Sequence, residues 1–104
     1  MAYCPTEMLE DLTDVFAEVR AWSGIVEKKP HVFYVGSQPF LHFHLLLEGR
    51  RRADIKGRTK WVQVSLRRPI SPSQRKALLR RLRALYAEKP NRAAAGASRR
   101  GGLR

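Results

Sequence analysis

Apolar side chains recur at steps of three and four through the first part of the chain: Met8, Leu9, Leu12, Val15, Phe16, Val19 and Trp22. That spacing puts them on one face of a helix over 6–23. Thr6 stands where it can cap the first amides, Glu7, Glu10 and Asp11 suit the positive end of the helix dipole, and Gly24 is placed to end the helix. From Pro30 onward the period changes from about 3.6 to 2. Four short β-favouring segments follow, 31–35, 40–47, 51–56 and 61–66, separated at Gly36 with Pro39, at Gly49 and at Gly57. The separations are of hairpin length and too short for a parallel crossover, so the segments predict an antiparallel meander.

Alternation assigns the faces of these strands. In the second, Leu41, Phe43, Leu45 and Leu47 point one way, and Phe40, His42, His44 and Leu46 the other. The third sends Ala53 and Ile55 to the apolar side and Arg52, Asp54 and Lys56 opposite; the fourth sends Val62, Val64 and Leu66 inward and Trp61, Gln63 and Ser65 outward. The first strand is apolar on both sides. Ser71, Pro72, Ser73 and Gln74 then read as a capping box with proline at the first helical position. With Leu78, Leu79, Leu82, Leu85 and Tyr86 they predict a second amphipathic helix over 72–88. Both helical stripes need cover and one sheet face is apolar. The expected fold is therefore α+β: a two-layer sandwich of helix, four-stranded antiparallel meander and helix, with both helices on one sheet face.

Length fits that plan, since 104 residues make one domain. Residues 89–104 carry five basic groups, no acidic ones and only Leu103 as a sizeable apolar side chain. They bury too little to offset their ordering entropy, so a domain over 1–88 with a disordered basic tail is expected. Cys4, the single cysteine, can form neither an intramolecular disulfide nor a cysteine-rich zinc cluster. Five acidic residues among the first 18, with no lysine or arginine before Arg20, do not suit a signal peptide. No apolar run approaches the length of a membrane span, and a reducing cytoplasm is the expected location.

Charge changes the picture most. There are 21 Lys and Arg against 9 Asp and Glu, a net charge of +12, of which 1–88 retains +7. An anionic partner, DNA or RNA above all, is expected. Arg50, Arg51 and Arg52 at one hairpin, Arg58 and Lys60 at the next, and Arg67 and Arg68 beyond it are the candidate phosphate contacts, with Trp61 or Phe40 able to stack on a base. Arginine supplies 15 of the 21 basic residues, a bias that composition alone could also produce. A second candidate is a divalent-metal or small-ligand site from His42, His44 and Asp54, with Trp61 beside them, because neutral imidazole offers a lone pair and a carboxylate can orient it. His31 joins them only in a suitable register, and histidine also serves simply as an amphipathic residue on an uncovered face. A third use of that face, with Phe40, Leu46 and Trp61, is a homodimer interface or a surface closed by the tail. Glycine-rich phosphate loops, nucleophile elbows and paired catalytic carboxylates do not occur, which favours a binding protein over an enzyme and assigns no cofactor beyond that metal.

Phe40 to His44 preceded by Pro39, then Ala53, Asp54 and Ile55, then Trp61 and Val62 before a leucine-rich closing helix, resemble short bacterial proteins of unknown function and the luciferase-associated domain family. In that family a histidine-containing strand precedes a tryptophan-led strand and a closing helix. The order helix, meander, helix is similar as well to the MmcQ/YjbR-like proteins, which implies a frataxin-like fold and a suggested affinity for DNA. The resemblance spans roughly 25–86 and implies a fold more than an activity.

Overall fold

A computed structural model of the chain describes residues 2–89. A two-residue strand, β1 (Ala2–Tyr3), leads through two 3-10 turns, Thr6–Met8 and Glu10–Leu12, into helix α1 (Thr13–Arg20). Five strands follow: β2 (Ile25–Lys29), β3 (Val32–Val35), β4 (Gln38–Leu45), β5 (Arg51–Lys56) and β6 (Trp61–Leu66). Helix α2 (Pro72–Ala87) closes the described chain. The strands pair antiparallel in the order β2-β3-β4-β5-β6, and β1 pairs with β4 through Ala2↔Leu45 and Tyr3↔His44. β3 pairs with β4 only as far as Leu41, so β1 takes up the stretch of that edge which β3 leaves free. The class is α+β with an antiparallel open sheet and two helices.

The meander thus starts one strand earlier than the four expected from the sequence. β2 is an edge strand whose Glu27, Lys28 and Lys29 overwrite any alternation of apolar residues. Charged side chains of this kind keep an edge from pairing with other chains.

The first helix is shorter than the periodicity predicts, and Thr6 does not cap it. Thr6 lies inside the first 3-10 turn, behind Pro5, and α1 begins at Thr13 without a side-chain cap. The cause lies across the core. In an unbroken helix the Met8 carbonyl would accept from Leu12; here the Leu12 amide goes to Leu9, and the Met8 carbonyl accepts from the Arg51 guanidinium at 2.8 Å.

A second departure occurs in β4. Phe33 pairs with Leu41 but Tyr34 pairs with Pro39, so Phe40 is an extra residue, a β-bulge. Strict alternation sends Phe40 away from the core beside His42. The bulge instead turns it inward with Leu41, and both are fully buried. Phe40 therefore leaves the set of Phe40, Leu46 and Trp61 assigned to a base-stacking or dimer surface.

One hydrophobic cluster joins Leu12, Val15, Phe16 and Val19 to Phe33, Leu41, Phe43, Ala53 and Ile55 on the sheet and to Leu78 and Leu82 of α2. Phe16 meets Phe43 edge-on at 5.5 Å and Phe33 at 6.0 Å. The start of α2 follows the capping prediction, with the Ser71 hydroxyl accepting from the Gln74 amide at 3.1 Å. The Gln74 side chain does not reach back to residue 71 as in a capping box. It accepts from the Arg67 amide and donates to the Ser65 carbonyl, tying the helix to the end of β6.

At the other end of α2 the Tyr86 hydroxyl donates to the Ser23 carbonyl. Lys89, assigned from sequence to the tail, is buried: its ammonium donates to the carbonyls of Lys56 and Gly57 and sits 5.7 Å from the Phe40 ring centre. Residues 90–104, the rest of the expected disordered tail, lie outside the described residues. No helix among the described residues is long and apolar enough to cross a membrane.

Candidate functional site

Register brings the sequence candidates on the polar face together. His42 stands opposite Asp54, and Asp54 opposite Gln63; His44 stands opposite Arg52, and Lys56 opposite Trp61. Directly opposed residues share a face, so these side chains form one surface, with Tyr3 added opposite His44.

Asp54 is the centre of this surface and is only 5% exposed. Arg52, two residues before it on the same strand, forks onto both carboxylate oxygens at 2.7 and 3.0 Å. The His44 Nε2 lies 3.4 Å from Oδ2 of Asp54. One ligating atom from each of His42, His44 and Asp54 lies within 4.8 Å of the others. The two imidazoles meet edge-on at 4.7 Å, Trp61 stacks at a tilt 4.7 Å from His42, and Tyr3 covers both histidines at 5.5 and 5.4 Å. The Nδ1 atoms of His42 and His44 are buried and have no hydrogen-bond partner. Burial pushes the His42 imidazole below its ordinary value near 6.5, and the neighbouring His44 pushes the same way, against the opposing pull of Asp54.

His31 does not join this cluster. It sits in the β2–β3 turn in the left-handed region (φ 65°) and stacks on Phe16 at 4.2 Å, while its amide donates to Glu27. Sequence reasoning missed Tyr3. A two-residue strand carries no periodicity, and only its pairing with β4 reveals where the ring goes.

The arginines expected to grip phosphate divide into two groups. Arg51 is withdrawn from the surface: it is 1% exposed, its guanidinium forks onto Asp11 at 2.7 and 3.0 Å, and it donates to the carbonyls of Met8 and Arg67. It faces inward because it alternates in phase with Ala53 and Ile55. Arg52 is held against Asp54.

The others lie outside. Arg50 and Arg67 are exposed and flank a surface hollow of about 250 Å³, with Ser65 and Gln74 also on its wall. Exposed Arg68 reaches the Met8 sulfur. Arg58 and Lys60 are exposed at the β5–β6 turn. α2 begins against the Ser65 end of β6 and finishes against the turn at Gly57, so it runs back along the hairpin. Its exposed Lys76, Arg80 and Arg81 join the two cationic ends, which the six-residue strands hold roughly 20 Å apart, while Arg83 turns to Glu18 of α1 and the Trp22 ring.

The described chain is thus a small α+β domain with a histidine- and aromatic-lined sheet face and a separate cationic edge. Comparison with protein-family models, with curated proteins and with solved structures finds no match to this chain.

Proposed function

We propose that this chain is a non-enzymatic binding module for nucleic acid, in which both helices cover one sheet face as a single layer and phosphates lie along the edge formed by β6 and α2. The observation that carries the reading is charge segregation. Between Asp54 and Glu88 there are ten lysines and arginines and no acidic residue. Elsewhere, Asp11, Glu27 and Asp54 are engaged by Arg51, Arg20 and Arg52, so they do not offset the edge; Glu18 engages Arg83 and removes that one cation from it. The hollow between Arg50 and Arg67 supports a phosphate position at one end, and Arg58 with Lys60 supports another at the opposite end. Trp61, at the Lys56 end of the hairpin, is half-buried with His42 4.7 Å from its ring and the Lys56 ammonium over it, and would exchange one of these neighbours to stack on an unpaired base.

Neutralised phosphates release counterions, so log K falls linearly with log salt, by about 0.7 to 0.9 per contact. Replacing Arg50, Arg58, Lys60 and Arg67 together by glutamine is expected to make that slope shallower by about 3. Fluorescence anisotropy of labelled single-stranded and duplex oligonucleotides reads it. A matched variant with Lys28, Lys29, Arg99 and Arg100 replaced by glutamine loses the same charge elsewhere and is expected to keep most of the slope. Equal losses in both variants would mean attraction to total charge without a site, and would overturn the reading.

A further inference from the structure

We infer that His42, His44 and Asp54 form a site for one divalent transition-metal ion, of the zinc, copper or nickel type. The inference stands apart from the nucleic-acid reading, because it uses the polar sheet face and none of the cations assigned to phosphate. Three donors project from two hydrogen-bonded strands: the histidines are two apart on β4, and Asp54 is the cross-strand partner of His42. Strand register, not a mobile loop, therefore sets their separation.

The spacing suits an ion. Donors held about 2.0 to 2.2 Å from a metal lie roughly 2.8 to 4.4 Å from one another, depending on geometry. Here the three ligating atoms fall within 4.8 Å without any ion between them. Small rotations of two imidazoles close that difference.

The polar bookkeeping is consistent with a missing partner. The Nδ1 atoms of both His42 and His44 are buried without a hydrogen-bond partner, as is that of His31 outside the cluster, and it is the His44 Nε2 that faces the Asp54 carboxylate. Asp54 is already oriented, since the Arg52 fork fixes its plane and leaves Oδ2 turned toward His44. A carboxylate held this way resembles the outer hydrogen bonding that orients metal ligands. The guanidinium also opposes a cation, so the site favours an ion that binds imidazole strongly over a weakly held one.

Donor chemistry selects the class. Two imidazoles and one carboxylate match zinc, copper(II) or nickel, whereas magnesium and calcium require mostly oxygen. Cys4 is buried in the hydrophobic cluster and contributes no thiolate to this face. Three protein donors leave at least one coordination position for water or an outside ligand. Tyr3, 51% exposed and over both imidazoles, is the side chain that an entering ion would move.

The test uses the full chain carrying Trp22→Phe, so that Trp61 is its only tryptophan. Because Trp61 lies 4.7 Å from His42, a paramagnetic copper(II) ion on the site quenches its emission. Titration with copper(II) is expected to quench at one ion per chain, and prior loading with zinc to raise the copper concentration that quenching requires. His42→Gln, His44→Gln and Asp54→Asn are each expected to weaken binding at least about 10-fold. His31→Asn, which keeps a residue tolerant of positive φ, is expected to leave it unchanged. Quenching that is absent, or that survives all three site substitutions, would overturn the inference. So would an equal loss in the His31 variant. If the site variants fail to fold, the unmutated site still decides the matter through stoichiometric quenching and its competition by zinc.

Discussion

Replacing Arg51 with alanine is expected to cost about 2 to 5 kcal/mol, because it empties a buried guanidinium site and leaves two carbonyls and the partly exposed Asp11 carboxylate without their donor. The guanidinium is enclosed and holds three separate segments: Asp11 and the Met8 carbonyl in the 3-10 turns, and the Arg67 carbonyl after β6. Without it Asp11 keeps its bond from the Ile70 amide, at 2.7 Å, but loses both bonds from the guanidinium, and the Met8 carbonyl loses the donor that replaced its helical one. Domains of this size are stable by about 5 to 15 kcal/mol in total, so the loss takes a large share of the stability and lowers the unfolding midpoint accordingly. Urea denaturation reads the loss, and a cost below about 1 kcal/mol would contradict the burial. Arg51→Met with Asp11→Leu is expected to recover only the part of the loss that comes from the unpaired charge, since it removes both charges but leaves the Met8 and Arg67 carbonyls and the Ile70 amide without their partners.

The same pair gives a pH signature. Burial tends to raise the Asp11 carboxyl, but its bonds from Arg51 and Ile70 outweigh that and hold it below the usual 3.8. A depressed carboxyl favours the native state fully above its ordinary value and progressively less as the pH falls below it. Acid denaturation of the wild-type chain should therefore steepen below about pH 4, and the double apolar variant should lack that component.

Phe40→Ala is expected to cost about 3 to 5 kcal/mol, the range for emptying a fully buried aromatic site. Phe40 is enclosed, with Tyr86 edge-on at 6.3 Å and the Lys89 ammonium over its ring. This substitution also tests register. In an unbulged β4, residue 40 would lie beside His42 on the polar face, and its truncation would cost under about 1 kcal/mol. A small effect would mean that the bulge is not where the pairing puts it.

Particular residues show how far sequence patterns reach. The β4–β5–β6 hairpins follow from period two between glycine turns, and the start of α2 follows from Ser71 and Pro72. The same alternation placed His42, His44 and Asp54 on one face before any pairing was known. It also held the answer for Arg51, which is in phase with Ala53 and Ile55; grouping it with Arg50 and Arg52 as a cationic trio obscured that. The bulge was not legible, because one extra residue in a strand leaves no local mark and shows only in the pairing with β3. Nor was the broken first helix, whose cause is a guanidinium reaching from β5, 43 residues away. β1 and Tyr3 depend entirely on a long-range partner, and β2 is too charged to show a period. Where tertiary contacts decide a backbone path, local spacing carries too little information to predict it.

The most direct measurement of the central claim compares the full chain with a chain ending at Lys89, each binding labelled oligonucleotides at about 0.15 M salt. The shorter chain keeps the β6–α2 edge and loses the basic residues beyond it. Binding retained within a few-fold is the predicted result, and it places the phosphate contacts on the folded domain. Binding that disappears with residues 90–104 would contradict the account, leaving the edge as solvated charge.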